Sequence, residues 1–256
     1  VLLPGTVDDK VSGTWASTDE NVTALGGRPN PEVMEVRDAI RSVIDAQFGN
    51  VLGYTDVYLD GRRAMVRTRS TNLGAMSADA NLWYARLLAG DVDVSLKNGG
   101  GIRTEIGSAI VPPGSVDYSE AVLSPPMASE VLGTAEGAVT EGHMKGTLRF
   151  DNGLVVVKVT AEELVGLLEH GVASTEEGAT PGRFPQVAGM KLAFDVAAEP
   201  GSRITSLVVL NDDGSTKDVV VENGSLKGNA SRTFRLVTLN FLANGGDGYP
   251  YADLSD

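Results

Sequence analysis

Cysteine is absent from all 256 residues, which excludes a disulfide framework and any thiolate metal site. That absence is compatible with an exported bacterial protein. Histidine is scarce too, with two in the chain. His170 follows Leu167-Leu168-Glu169 at the expected end of a helix, where a cation favours the dipole. His143 is expected to be solvated. No HExxH, CxxC or GxSxG occurs, so the common signatures of zinc proteases, thiol redox sites and serine hydrolases are missing. No apolar run approaches the ~18 residues of a membrane span. The 21 Lys and Arg are outnumbered by 34 Asp and Glu, for a formal charge of −13. That balance argues against a nucleic-acid backbone as partner, because it calls for a basic face, and leaves room for a small phosphate ligand held by a local cluster of Arg. The start, Val1-Leu2-Leu3-Pro4-Gly5, lacks an initiator Met and a charged signal region, as expected of a fragment of a longer protein.

The residues present suffice for a core, with 42% hydrophobic, and their order divides the chain. Residues 1–30 are polar and aperiodic and read as an interdomain connector with one short strand. Asn30-Pro31 caps and opens a helix whose stripe is Val33, Val36, Ile40, Val43 and Ile44. A strand is predicted over Val57–Val66. Asn72 caps a second helix with the stripe Leu73, Met76, Ala80, Tyr84 and Leu87, ended by Gly90. Strands are expected over Asp91–Leu96, Ser115–Leu123 and Leu154–Val159. The last of these feeds a capping box, Thr160-Ala161-Glu162-Glu163, and a helix carrying Leu164, Leu167 and Leu168. Val187–Val196, Ile204–Leu210, Val219–Val221 and Phe234–Leu239 complete the strands. Two or three helices among seven or eight strands, out of strict alternation, predict an α+β fold in layers.

Three segments carry chemistry. Asn98-Gly99-Gly100-Gly101-Ile102-Arg103 sets an amide and a guanidinium fork about a turn where no Cβ keeps a ligand away; a plain surface turn is the alternative. Arg62, Arg63, Arg67 and Arg69 fall within eight residues and precede Asn72-Leu73-Gly74. They suit a phosphate, or else form a solvated strand edge. Asn240-Phe241-Leu242-Ala243-Asn244-Gly245-Gly246-Asp247-Gly248-Tyr249 places a ring and a carboxylate in glycine-rich sequence. On its own Phe241 reads as a core ring at a strand end, and Asp247 as a turn cap.

In that order and spacing these segments resemble the C-terminal domain of the 5′-nucleotidase family, which includes periplasmic UDP-sugar hydrolases and surface-bound ecto-5′-nucleotidases. The resemblance runs from about Asn30 to the C-terminus. It implies a layered mixed-sheet domain over 31–256 that recognises a nucleoside monophosphate or nucleotide sugar. Phe150 and Phe241 would stack the base, Asp247 would bind the ribose hydroxyls, and Asn98, Arg103, Arg67 and Arg63 would meet the phosphate. Arg63 could yield its role to Arg62 by a one-residue shift, and Arg69 stays a surface charge. Residues 124–146 form an insertion before Phe150-Asp151-Asn152, where the family has Pro-Phe-x-Asn, and Arg149 stands where a Pro is usual.

The family's phosphate-ester hydrolysis uses two divalent metals held by Asp, His and Asn of an N-terminal metallophosphatase domain. Those ligand motifs are absent from this sequence. The expectation is therefore no metal, no cofactor and no catalytic residue in this chain, and no hydrolysis by it alone. The full protein would be extracellular, at the cell surface or periplasmic. Two other readings are a self-sufficient nucleotide-binding module and a secreted acidic interaction protein.

Overall fold

The computed structural model describes residues 19–24, 26–28 and 30–251. The connector predicted over residues 1–30 falls largely outside them; within it lies helix α1, Asp19–Ala24. Helix α2, Pro31–Phe48, starts where Asn30 accepts the Glu32 and Val33 N–H groups. Its stripe of Val33, Val36, Ile40, Val43 and Ile44 has helical spacing, yet it is exposed. Strand β1, Val51–Tyr54, follows.

The strand expected over Val57–Val66 is not formed. Asp60 instead accepts the Arg62 N–H at 3.1 Å, turning the chain into helix α3, Arg63–Val66. Such a local side-chain bond offers the backbone an alternative to a ladder. Helix α4 covers Asn72–Ala89 and ends at Gly90 with φ 75°. Its cap is Thr71, which accepts the Gly74 N–H at 3.0 Å. Asn72 ties the helix start to the preceding loop, donating to the Tyr58 carbonyl and accepting from the Asp60 N–H. The buried face of α4 is Leu73, Gly74, Ser77, Ala78, Leu82 and Ala85, while Met76, Tyr84 and Leu87 are exposed. Small residues bring this helix close to its sheet, so beyond Leu73 the predicted stripe marks the outer face.

Strand β2, Val94–Asn98, begins three residues later than predicted and runs directly into a single 3-10 turn, Gly99–Gly101. The strand expected over Ser115–Leu123 is broken. Ser115 and Asp117 side chains accept the N–H groups of Asp117 and Ser119, leaving the short hairpin β3, Ser108–Ile110, with β4, Val122–Ser124. The insertion is ordered: β5, Ala138–Thr140, pairs with β1, and helix α5, Glu141–Thr147, packs on α2. Within it His143 is half-buried rather than solvated. Its Nδ1 accepts the Thr140 N–H at 3.1 Å while Thr140 Oγ1 accepts the His143 N–H, and its ring meets Phe48 edge-on at 5.5 Å.

Strand β6, Leu154–Thr160, enters helix α6, Ala161–Val172, through the predicted capping box, with Glu163 accepting the Thr160 N–H at 2.7 Å. The single strand expected over Val187–Val196 is two, β7 (Pro185–Ala188) and β8 (Met190–Phe194), divided at Gly189 with φ 72°. Strands β9 (Ile204–Leu210), β10 (Thr216–Glu222), β11 (Ser225–Leu226) and β12 (Thr233–Leu239) lead to helix α7, Asn240–Ala243.

Two four-stranded sheets result, ordered β6-β12-β2-β7 and β11-β10-β9-β8. In the first, β12 and β2 are parallel and the other pairs antiparallel. Alternation divides its faces. Val237 and Ala188 pack under α4, whereas Val94, Leu96 and Leu236 join Leu164, Leu167 and Leu168 of α6 and Leu207 and Val209 of the second sheet. The layered, mixed-sheet α+β architecture is the one expected. It brings the C-terminal ends of β2 and β12 side by side, and both glycine-rich segments start there.

Candidate ligand-binding cleft

A cavity of about 440 Å³ opens at those strand ends. Arg67, Asn98, Arg103, Phe150, Phe241 and Asp247 all line it. Arg63 does not: it is exposed, with Nε donating to Thr180 Oγ1 at 3.3 Å. Arg62 is held elsewhere by a two-pronged pair with Asp60 at 2.7 and 2.9 Å, which removes it as a substitute. Arg69 is an exposed charge whose backbone carbonyl accepts from Gln186.

The glycine turn is fitted against its neighbours. The Gly99 and Gly100 N–H groups donate to the carbonyls of Phe184 and Gly182 at 2.7 and 2.8 Å. A Cβ on Gly99 would overlap the Val66 carbonyl, and one on Gly100 would stand 2.9 Å from Gly182. The turn therefore needs glycine for close approach, not for a left-handed φ.

Asn98, at the end of β2, is buried and donates from Nδ2 to Asp247 Oδ2 at 2.6 Å. A carboxylate can only accept, so the amide orientation is fixed and the Asn98 Oδ1 is left buried without a partner. Asp247 itself is left-handed, φ 53°, inside the Gly246–Gly248 turn. Its carbonyl takes the His170 Nε2–H at 3.0 Å. His170 is thus a brace for this turn. The bond to Asn98 occupies one carboxylate oxygen of a residue that lines the cavity, and Oδ1 carries no hydrogen bond within the protein.

Arg67 is 8% exposed, donates to the Thr180 carbonyl at 3.2 Å and leaves Nε without a partner. Burial lowers its pKa, the positive charges of Arg63 and Arg103 add to that, and Asp247 opposes. Such crowding of cations favours an anion between them. Arg103 is exposed; its guanidinium lies 5.5 Å from the centroid of the Phe150 ring and reaches the Gly100 carbonyl at 3.2 Å. Phe150 and Phe241 are 54% and 44% exposed. A core role for Phe241 is therefore ruled out: its ring lies over Gly246, where a Cβ would stand 2.6 Å from ring carbons.

Sequence reasoning passed over the segment Thr180–Gly182, which holds Arg63, Arg67 and the glycine turn. It contributes mostly backbone carbonyls, and Pro181-Gly182 signals a turn and nothing more. Asn152 also lines the cavity; the Phe-x-Asn spacing was its signal.

A layered α+β domain whose cleft pairs exposed rings with guanidinium groups and a carboxylate defines a ligand-recognition domain. Residues 51–253 match the family model described as 5′-nucleotidase, C-terminal domain, and the chain belongs to that family. It is 31% identical over 220 residues to the trifunctional nucleotide phosphoesterase protein YfkN of Bacillus subtilis, covering 86% of this chain and 12% of that protein. It is 30% identical over 203 residues to human 5′-nucleotidase, covering 77% and 30%. Among solved structures, the 5′-nucleotidase precursor of Thermus thermophilus superposes with a TM-score of 0.64 at 31% identity, covering 87% of this chain and 36% of that one. The chain thus spans between about an eighth and about a third of these relatives.

Among the described residues no three of His, Cys, Asp and Glu converge to hold a metal ion. No described helix is long and apolar enough to cross a membrane.

Proposed function

We propose that this chain is the nucleotide-recognition domain of an exported, metal-dependent 5′-nucleotidase acting on nucleoside monophosphates or nucleotide sugars. One observation carries the reading: two half-exposed rings, a free carboxylate oxygen and two guanidinium groups share a single cavity. A base has two π faces, and stacking on aromatic rings is worth ~1–3 kcal/mol per contact. Phe150 and Phe241 supply those rings. Asp247 Oδ1 accepts from the ribose hydroxyls, with Asn98 holding the carboxylate in place. Arg67 and Arg103 bind phosphate oxygens by charge-assisted hydrogen bonds, and Arg63 adds charge at the rim.

Hydrolysis belongs to a metallophosphatase domain elsewhere in the same protein, whose two divalent ions would polarise the phosphate and activate water. This domain holds the substrate for it. Titration of the 256-residue chain with AMP tests the reading. Saturable amide shifts centred on Phe150, Phe241 and Asp247 are expected, with micromolar-to-millimolar affinity, roughly −4 to −8 kcal/mol. No phosphate release is expected, with or without added Mn²⁺, Zn²⁺ or Co²⁺. A folded sample that shows no saturation at several millimolar would favour a protein-interaction role, and chelator-sensitive hydrolysis by the purified chain would end the division of labour.

A further inference from the structure

Lys97 precedes Asn98 on β2, so strand alternation sends its side chain to the opposite face of the sheet, under α4. It is 4% exposed. Its ammonium has no hydrogen bond or ion pair to protein among the described residues, and so depends on the space it faces for its partners. Burial alone pushes its pKa down to about 8, with no carboxylate offsetting it. It lines a second cavity, about 350 Å³, together with Asn81 and Tyr84 of α4. The Asn81 Nδ2 is likewise buried with no acceptor. Both residues thus line one cavity, with the Asn81 amide N–H closed off and unpaired beside it. Its other walls are Leu148, Leu154 and Leu239, with Phe150 shared with the cleft.

We infer that this side cavity is a second binding site, taking a small monocarboxylate that carries an apolar or aromatic body. The carboxylate's single charge matches the single ammonium, one oxygen taking the Lys97 N–H and the other the Asn81 N–H once that amide turns toward the cavity. The leucines and the two rings cover the apolar body. A phosphate dianion is the poorer match. It would lose hydration against three leucines for one cation, and Asp151 at the same cavity repels a dianion about twice as strongly as a monoanion. An occupant would touch Phe150, one of the two rings of the cleft, and so couple the two sites. The site stands on its own donors and does not depend on the nucleotide reading.

Benzoate is the probe, with benzamide and inorganic phosphate as neutral and dianionic comparisons. Amide spectra of the 256-residue chain should show saturable benzoate shifts at Asn81, Tyr84 and Lys97. Acetylation of Lys97 by an amine-selective reagent, followed by peptide mass spectrometry, should slow about tenfold at benzoate ten times its Kd. Lys97→Met, close in length and suited to apolar walls, should remain folded by its melting curve and lose the benzoate shifts. Unchanged Lys97 labelling up to about 10 mM benzoate, a Kd range too weak for a site, would overturn the proposal. So would benzoate shifts centred on Phe241 and Asp247, equal protection by phosphate or benzamide, or benzoate binding that persists in Lys97→Met.

Discussion

Replacing Phe241 by Ala separates a ligand-binding ring from a structural one. A fully buried Phe lost from a core costs ~3–5 kcal/mol. Phe241 keeps 44% of its surface exposed and sits on a four-residue helix over Gly246. Burial of a complete Phe side chain is worth ~1.5–3 kcal/mol, so about half of that, roughly 0.8–1.5 kcal/mol, is the expected loss of stability. Loss of one stacking face should weaken ligand by ~1–3 kcal/mol, or about 5- to 150-fold in Kd. Because stacking does not involve the phosphate, adenosine and AMP should lose affinity equally. Calorimetric titration with both ligands, paired with melting curves, reads the two effects separately. Phe150→Ala should behave alike, since that ring is still more exposed. A core-sized loss of stability in Phe241→Ala, or an unchanged Kd for a folded variant, refutes the reasoning.

Arg103→Ala should weaken AMP more than adenosine, and added salt should weaken AMP in the wild type while sparing adenosine, since charge pairing is screened; equal effects on both ligands would contradict the phosphate role. Glu169 is buried on α6 and accepts the Arg203 and Ile204 N–H groups at 3.0 and 2.6 Å. Glu169→Ala strands both donors at ~1–3 kcal/mol each, and a urea midpoint unchanged from the wild type would count against that accounting. Burial lowers the pKa of His143 below the ordinary 6.5, so the unfolded chain binds its proton more readily. Stability from the neutral ring is present above about 6.5 and is lost as pH falls below it. Melting temperatures in His143→Gln, which keeps a capping-box side chain, should therefore fall less steeply on acidification than those of the wild type.

Features governed by neighbours in sequence were legible. Asn30, Gly90 and the Thr160–Glu163 box are local hydrogen-bond chemistry, and each helix starts or stops where that chemistry says. The inward face of α4 was not, because close packing there selects Gly74, Ser77, Ala78 and Ala85 over larger residues, which reverses the usual hydrophobic signal. Ser115 and Asp117 turned a β-rich segment away from the ladder by bonding their own backbone. At the cleft, ring, carboxylate and cation types could be read, together with the sharing of one cavity that the family resemblance implies. Whether Arg62 or Arg63 stood nearer could not, since it turns on Asp60 capturing Arg62. The hold of Thr180 on Arg67 was equally hidden, because a backbone carbonyl has no sequence signature.

The bond from Asn98 to Asp247 joins residues 149 apart in the chain, and that from Arg67 to Thr180 joins residues 113 apart. Each spans a loop whose closure entropy is met only when the sheets between have formed. The lining of the cleft runs from Arg67 to Asp247, so a nascent chain that ends before its last strand lacks Phe241 and Asp247, however complete its other layers. An intact cleft thereby reports on the topology from Arg67 to Asp247. A ligand held there would act as a clasp between the first half of the chain and its end, favouring the closed fold in proportion to the logarithm of its concentration above Kd.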